Sequence, residues 1–221
     1  MSGLSELFGK ISGSLLPVLF ISFAAPLLMM ALICRGRSRK LLFFLLFGTT
    51  ACLLSGYANS IIRSLSGLSS GFFNTNFAPA IEETLKALPI VILAFSKNHD
   101  KRTLLECSVA VGIGFAVLEN AATLARNIEI ISLPLALGRG FGSGMMHGLT
   151  TLASGFGLTL ARKRRKLFYT GSFALLSVSV MYHSLYNILV SSDYQLAGFC
   201  LPLVTFVPLL IYLKKNRRGK E

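Results

Sequence analysis

Seven apolar stretches recur along this chain, each long enough, at roughly 17–25 residues, to cross a bilayer as a helix. They lie near 11–34, 41–62, 77–95, 104–126, 133–161, 168–190 and 195–213. No other feature limits the fold as strongly, because in hydrocarbon a spanning segment must pair its own backbone amides and carbonyls. The expected fold is all-α: a polytopic membrane helix bundle of about seven transmembrane helices, forming one domain over 1–221. The stretch 133–161 exceeds one span. Pro134 marks its start, and its membrane part is expected to begin near Arg139. Composition agrees, with 53% hydrophobic and only 14% charged residues.

Charge fixes the orientation. The loops RGRSRK (35–40), SKNHDKR (96–102) and RKRRK (162–166), with the tail KKNRRGK (214–220), hold 17 of the 22 basic residues. The opposite loops hold Lys10, Arg63, Arg126 and Arg139, the two last reading as interface anchors. The positive-inside rule then puts the N-terminus outside and the C-terminus in the cytoplasm. The net charge of +13 is topology plus attraction to anionic lipid at the cytoplasmic face, and it calls for no nucleic acid. The first apolar run has its basic cluster after it, so a removable signal peptide is not expected. Cys34, Cys52, Cys107 and Cys200 lie within or at the ends of spans without CxxC spacing, as packing residues rather than a disulfide frame.

Of nine acids, only Glu82, Glu83 and Glu119 fall well inside spans, as do two of three histidines, His147 and His183. Counting along each span at 1.5 Å per residue, all five lie roughly 8–12 Å below the outer hydrocarbon boundary. Four consecutive spans therefore feed one polar layer. Glu82 and Glu83 precede Lys86 by four and three residues, so the lysine can lie against either carboxylate. His183 and Asn187 share a helical face, as do Phe115 and Glu119, which precedes Asn120. Gly140, Gly144 and Gly148 form a small-residue stripe expected to admit a neighbouring helix close to His147. Singly, each feature has a structural explanation: an interfacial ion cluster for the Glu82 group, a hydrogen-bonded packing residue for either histidine. Jointly, at one depth, they point to a site, since intramembrane ionisable residues are functional by default.

Carboxylate plus imidazole is equipment for activating water, with Asn or His steadying an oxyanion. Glu119, His147 and His183 could also ligate a divalent metal such as zinc, although HExxH is absent. Aspartyl chemistry is excluded, because Asp100 and Asp193 lie outside the spans. The GxSxG match at GLSSG (67–71) sits in a loop without the strand-to-helix elbow that gives it meaning. A proton-coupled transporter also uses intramembrane Glu and His, but it predicts an internal inverted repeat, and none is visible. A non-catalytic membrane scaffold is the third reading.

EETLK (82–86) fits EExxK, FAVLEN (115–120) fits FxxxEN, RGFGSGMMHG (139–148) fits a His-bearing third segment and HSLYN (183–187) fits HxxxN. In that order the chain resembles the PrsW family of intramembrane proteases, relatives of the type II CAAX prenyl endopeptidases and the CPBP proteins. The resemblance covers about 78–190. It implies a multi-pass protease of a prokaryotic plasma membrane that cuts membrane-anchored protein substrates near the extracytoplasmic face. It further implies that Glu82 or Glu83 activates water, that Glu119 and His147 assist, and that His183 with Asn187 binds the oxyanion. Lys86, Phe115 and Asn120 would support them. The cofactor is either none or a divalent metal; Lys86, already compensating the first carboxylates, favours a metal-free glutamate-activated water.

Overall fold

The computed structural model describes residues 15–96, 100–127, 129, 132–163, 166 and 168–218. The start of the first expected span (11–14), His99 and the tail beyond 218 lie outside the described residues. Within them the chain is helical throughout: α1 (Leu15–Ile33), α2 (Gly36–Ser66), α3 (Ser70–Asn76), α4 (Ala78–Phe95), α5 (Lys101–Arg126), α6 (Leu133–Leu137), a π-helical turn (Gly138–Ser143), α7 (Gly144–Lys163), α8 (Phe168–Val190) and α9 (Gln195–Arg218). Local chemistry sets several ends. Asp100 caps α5 by accepting the Thr103 amide at 2.9 Å, and hydrogen bonding by Thr103 holds its carboxyl below the usual carboxylate value. Gly67, at φ +67°, ends α2 in the left-handed conformation that only glycine adopts freely. Ser69 and Ser132 cap α3 and α6 in the same way as Asp100.

Among the described residues, four helices are long and apolar enough to cross a membrane: Leu15–Ile33, Gly36–Ser66, Lys101–Arg126 and Tyr169–Val190. Gln195–Pro208 is a shorter apolar helix. The other two stretches are interrupted by chemistry. α4 carries Glu82, Glu83 and Lys86 within eighteen residues, and the long 133–161 stretch breaks into α6, the π turn and α7. Ile92, Phe173, Met181 and Val204 point outwards, each more than two-thirds exposed, an apolar exterior suited to lipid. All four cysteines are free.

α5 is the packing centre, lying against α2 on one side and α7 on the other. Its backbone approaches both at glycines. A side chain at Gly114 would meet the Leu45 carbonyl of α2, and one at Gly112 would meet the His147 carbonyl of α7. Gly48 of α2 returns the contact against Val111 and Phe115. Of the stripe expected on 140–148, Gly148 takes part, its Cα backing onto Gly112 beside the His147 carbonyl, whereas Gly140 and Gly144 face open space. The reason is the π turn, which rotates that segment so that Gly138 and Gly142 instead receive Phe199 of α9. α4 packs against α2, α5, α7 and α8, and brings its charged turn inside. Beneath that turn Ile90, Leu104, Cys107, Val111 and Leu158 form an apolar core.

Candidate active site

The charged turn of α4 holds two adjacent glutamates, which a helix points about 100° apart. Glu83 is buried at 1% exposure and Lys86 at 0%. Their side chains meet at 2.5 Å, Lys86 Nζ to Glu83 Oε1. The same carboxylate oxygen accepts from Thr150 of α7 at 3.2 Å and lies 2.8 Å from His183 Nδ1 of α8. Glu83 Oε2 is buried without a hydrogen-bond partner. Glu82 turns to another side. Its Oε1 accepts from Asn59 of α2 at 3.0 Å, and its Oε2 lies 3.7 Å from His183 Nε2.

His147, fully buried on α7, joins the two halves of the site. Its Nδ1 lies 2.8 Å from Lys86 Nζ and its Nε2 lies 2.8 Å from Glu119 Oε2. An ammonium has no acceptor, so Nδ1 must accept from Lys86 and Nε2 carries the hydrogen donated to Glu119. This tautomer is assigned from the hydrogen bonds. A carboxylate only accepts, so His183 donates Nδ1–H to Glu83. The two imidazoles meet edge to face, their centroids 4.9 Å apart. Phe115 packs its ring against His147 at 4.8 Å and beneath Lys86 Nζ at 4.6 Å. The aromatic of the second motif thus floors the cluster.

Glu119, 29% exposed, is the most open of the three carboxylates. Ser143 donates to its Oε2 at 3.2 Å, and Arg139 Nη2 lies 3.5 Å from its Oε1. Arg139, expected as an interface anchor, is thus turned inwards. Residues 139, 143 and 147 follow one another at four-residue steps through the π turn and α7, and all reach Glu119. Asn120 donates to the Arg139 carbonyl at 3.1 Å, tying α5 to the π turn rather than entering the cluster. Asn187 also stands apart, its amide donating to the Asn74 carbonyl at 3.2 Å. The structure therefore brings Glu82, Glu83, Lys86, Phe115, Glu119, His147 and His183 together from four helices. Asn59, Thr150, Ser143 and Arg139 join them without having been marked as site residues by the sequence. Ser143 and Arg139 were findable from their spacing to His147; Asn59 lies outside every motif.

A model of the PrsW family of intramembrane metalloproteases matches residues 36–213. The chain belongs to the PrsW family. No curated protein and no solved structure matches it. As a PrsW protein it is a membrane-integral peptidase, and the family's description implies a metal ion. The residues fit one. Donor atoms of Glu83, His147 and His183, all buried, lie within 4.8 Å of one another. A carboxylate with two imidazoles is a donor set of catalytic zinc, and Glu83 Oε2 is buried without a hydrogen-bond partner. This group has Glu83 where the ligand set expected from the sequence, Glu119, His147 and His183, has Glu119. His147 has Glu119 on its Nε2 edge and, on its Nδ1 edge, Lys86, which is paired to Glu83.

Proposed function

We propose that this PrsW protein is a seven-span intramembrane endopeptidase, N-terminus outside, that cuts a membrane-anchored protein near the extracytoplasmic face with Glu/His-activated water. The observation that carries the reading is the convergence of Glu82, Glu83, Glu119, His147 and His183 from α4, α5, α7 and α8 into one mostly buried cluster. The loop charges support the orientation.

Glu82 is the base. Its Oε2 lies 3.7 Å from His183 Nε2, close enough for a water beside them to donate to the carboxylate while contacting the ring. Asn59 fixes the other oxygen of Glu82 and so aims the carboxylate. Glu83 is already engaged by Lys86, Thr150 and His183 through one oxygen; it anchors the ring of His183 rather than moving a proton. Glu119 orients His147 and is itself aimed by Ser143 and Arg139. An oxyanion would compete with the Asn74 carbonyl for the Asn187 amide, one turn from His183. A divalent ion held by Glu83, His147 and His183 would polarise the scissile carbonyl and acidify bound water.

The test is cleavage of a single-span reporter by the purified full chain and by Glu82→Gln, Glu83→Gln, Glu119→Gln, His147→Ala and His183→Ala. Each is expected to lose cleavage while remaining extractable. Full activity in Glu119→Gln and His147→Ala sinks the assignment.

A further inference from the structure

We propose that the Lys86 ammonium and a divalent metal ion are alternative occupants of one cation position between Glu83 and His147, so that a metal enters this site only by displacing Lys86. The inference rests on the reading of Glu83, His147 and His183 as the metal-binding group. Lys86 Nζ lies 2.5 Å from Glu83 Oε1 and 2.8 Å from His147 Nδ1, contacts with two of the three donor residues. The position is enclosed: Lys86 and His147 are each 0% exposed, Glu83 and His183 each 1%. A second cation bonded to those two atoms would press against the ammonium where little water screens the repulsion.

The lone pairs of His147 sharpen the conflict. Nδ1 accepts from Lys86, and Nε2 donates its hydrogen to Glu119 at 2.8 Å, so the ring has no free donor pair. A metal taking Nε2 would break the Glu119 bond and strip that hydrogen. A metal taking Nδ1 needs only that Lys86 withdraw, and it preserves the Glu119 contact. That second arrangement has the carboxylate behind a ligand histidine that metal sites commonly use to orient the ring. Nδ1 is therefore the ligand atom, and Lys86 the group displaced. Its four-carbon stem gives the ammonium the freedom to withdraw. The lysine is thus a built-in competitor that keeps Glu83 and His147 paired in the metal-free chain.

The experiment titrates Zn²⁺ alone into the metal-stripped full chain in detergent, against a chromophoric chelator, for wild type and Lys86→Met. Lys86→Met is expected to bind zinc at least tenfold more tightly. Because that variant strips a buried carboxylate of its partner and can fail to fold, a second measurement uses wild type. Amine-reactive footprinting read by mass spectrometry should leave Lys86 unlabelled without metal and label it under saturating Zn²⁺. Equal or weaker zinc binding by Lys86→Met overturns the proposal, as does stoichiometric zinc in wild type with Lys86 still protected. Both readouts are taken without substrate. A chain that cleaves its reporter but shows no competition sinks this inference alone; competition without any cleavage sinks the peptidase mechanism alone.

Discussion

Gly112→Ala is the sharpest test of how the bundle aligns its acids and bases. The added methyl would stand 2.7 Å from the His147 carbonyl carbon and 2.9 Å from Gly148 Cα, with the His147 oxygen closer still. Carbon–carbon contact is comfortable only at about 3.5–4.0 Å, so α7 must retreat from α5 by roughly 1 Å. The His147–Glu119 hydrogen bond spans this same interface at 2.8 Å. A retreat of that size stretches it to about 3.8 Å, where it ceases to be a hydrogen bond. Overpacking of this kind costs about 1–3 kcal/mol of stability, while a 1 Å misplacement of catalytic groups can lower the rate about 100-fold. The expected outcome is an extractable protein, lower in thermal midpoint, whose cleavage of a single-span reporter falls about two orders of magnitude. Gly71→Ala, whose methyl meets nothing within 4 Å, serves as the control and should cleave normally. Wild-type cleavage by a properly folded Gly112→Ala protein would refute the reasoning, because it would mean that the α5–α7 spacing does not set the His147–Glu119 alignment.

Three further outcomes follow from the same contacts. Glu83→Gln leaves the buried Lys86 cation with a neutral partner; it should destabilise the fold by about 3–5 kcal/mol in thermal or denaturant unfolding and abolish cleavage as well. Ser143→Ala removes one of the hydrogen bonds to Glu119, worth about 1 kcal/mol, and should slow cleavage about fivefold with little change in protein level. Glu106→Gln cuts the Arg37 and Arg102 contacts at the start of α5, far along the helix from Glu119, and reporter cleavage should stay at the wild-type rate.

Hydrophobic runs and punctuating charges mark the helices well, because in these segments burial in lipid and backbone pairing impose the same answer. The helix over 168–190 matches its apolar run, and 77–95 differs by one residue. What the pattern misses is local. α3 follows Gly67 as seven residues of SGFFNTN, too short and mixed for a periodicity to show. The π turn over GRGFGS has no propensity signature, since glycine disfavours any helix; it is held from outside by Phe199 and Asn120. The motif residues could be assigned to one layer from spacing, yet spacing does not give the rotation of each helix about its axis. That rotation decides that Lys86 reaches across to His147, that Asn187 turns to Asn74, and that Arg139 points inwards.

The doublet Glu82–Glu83 illustrates what one degree of rotation information adds. Read as sequence, the two carboxylates look redundant, and either could serve as the base. Because neighbours on a helix diverge by about 100°, they cannot share a face; they can, however, reach opposite edges of one ring. His183 occupies that gap, with Nδ1 at 2.8 Å from Glu83 and Nε2 at 3.7 Å from Glu82. The short contact is a hydrogen bond from Nδ1–H to Glu83, and the long one leaves Nε2 and a Glu82 oxygen facing each other beyond direct hydrogen-bond distance. Under the proposed mechanism, the same divergence that separates the glutamates sets the Glu82 carboxylate and the Nε2 edge of His183 on two sides of the position where the attacking water would be held.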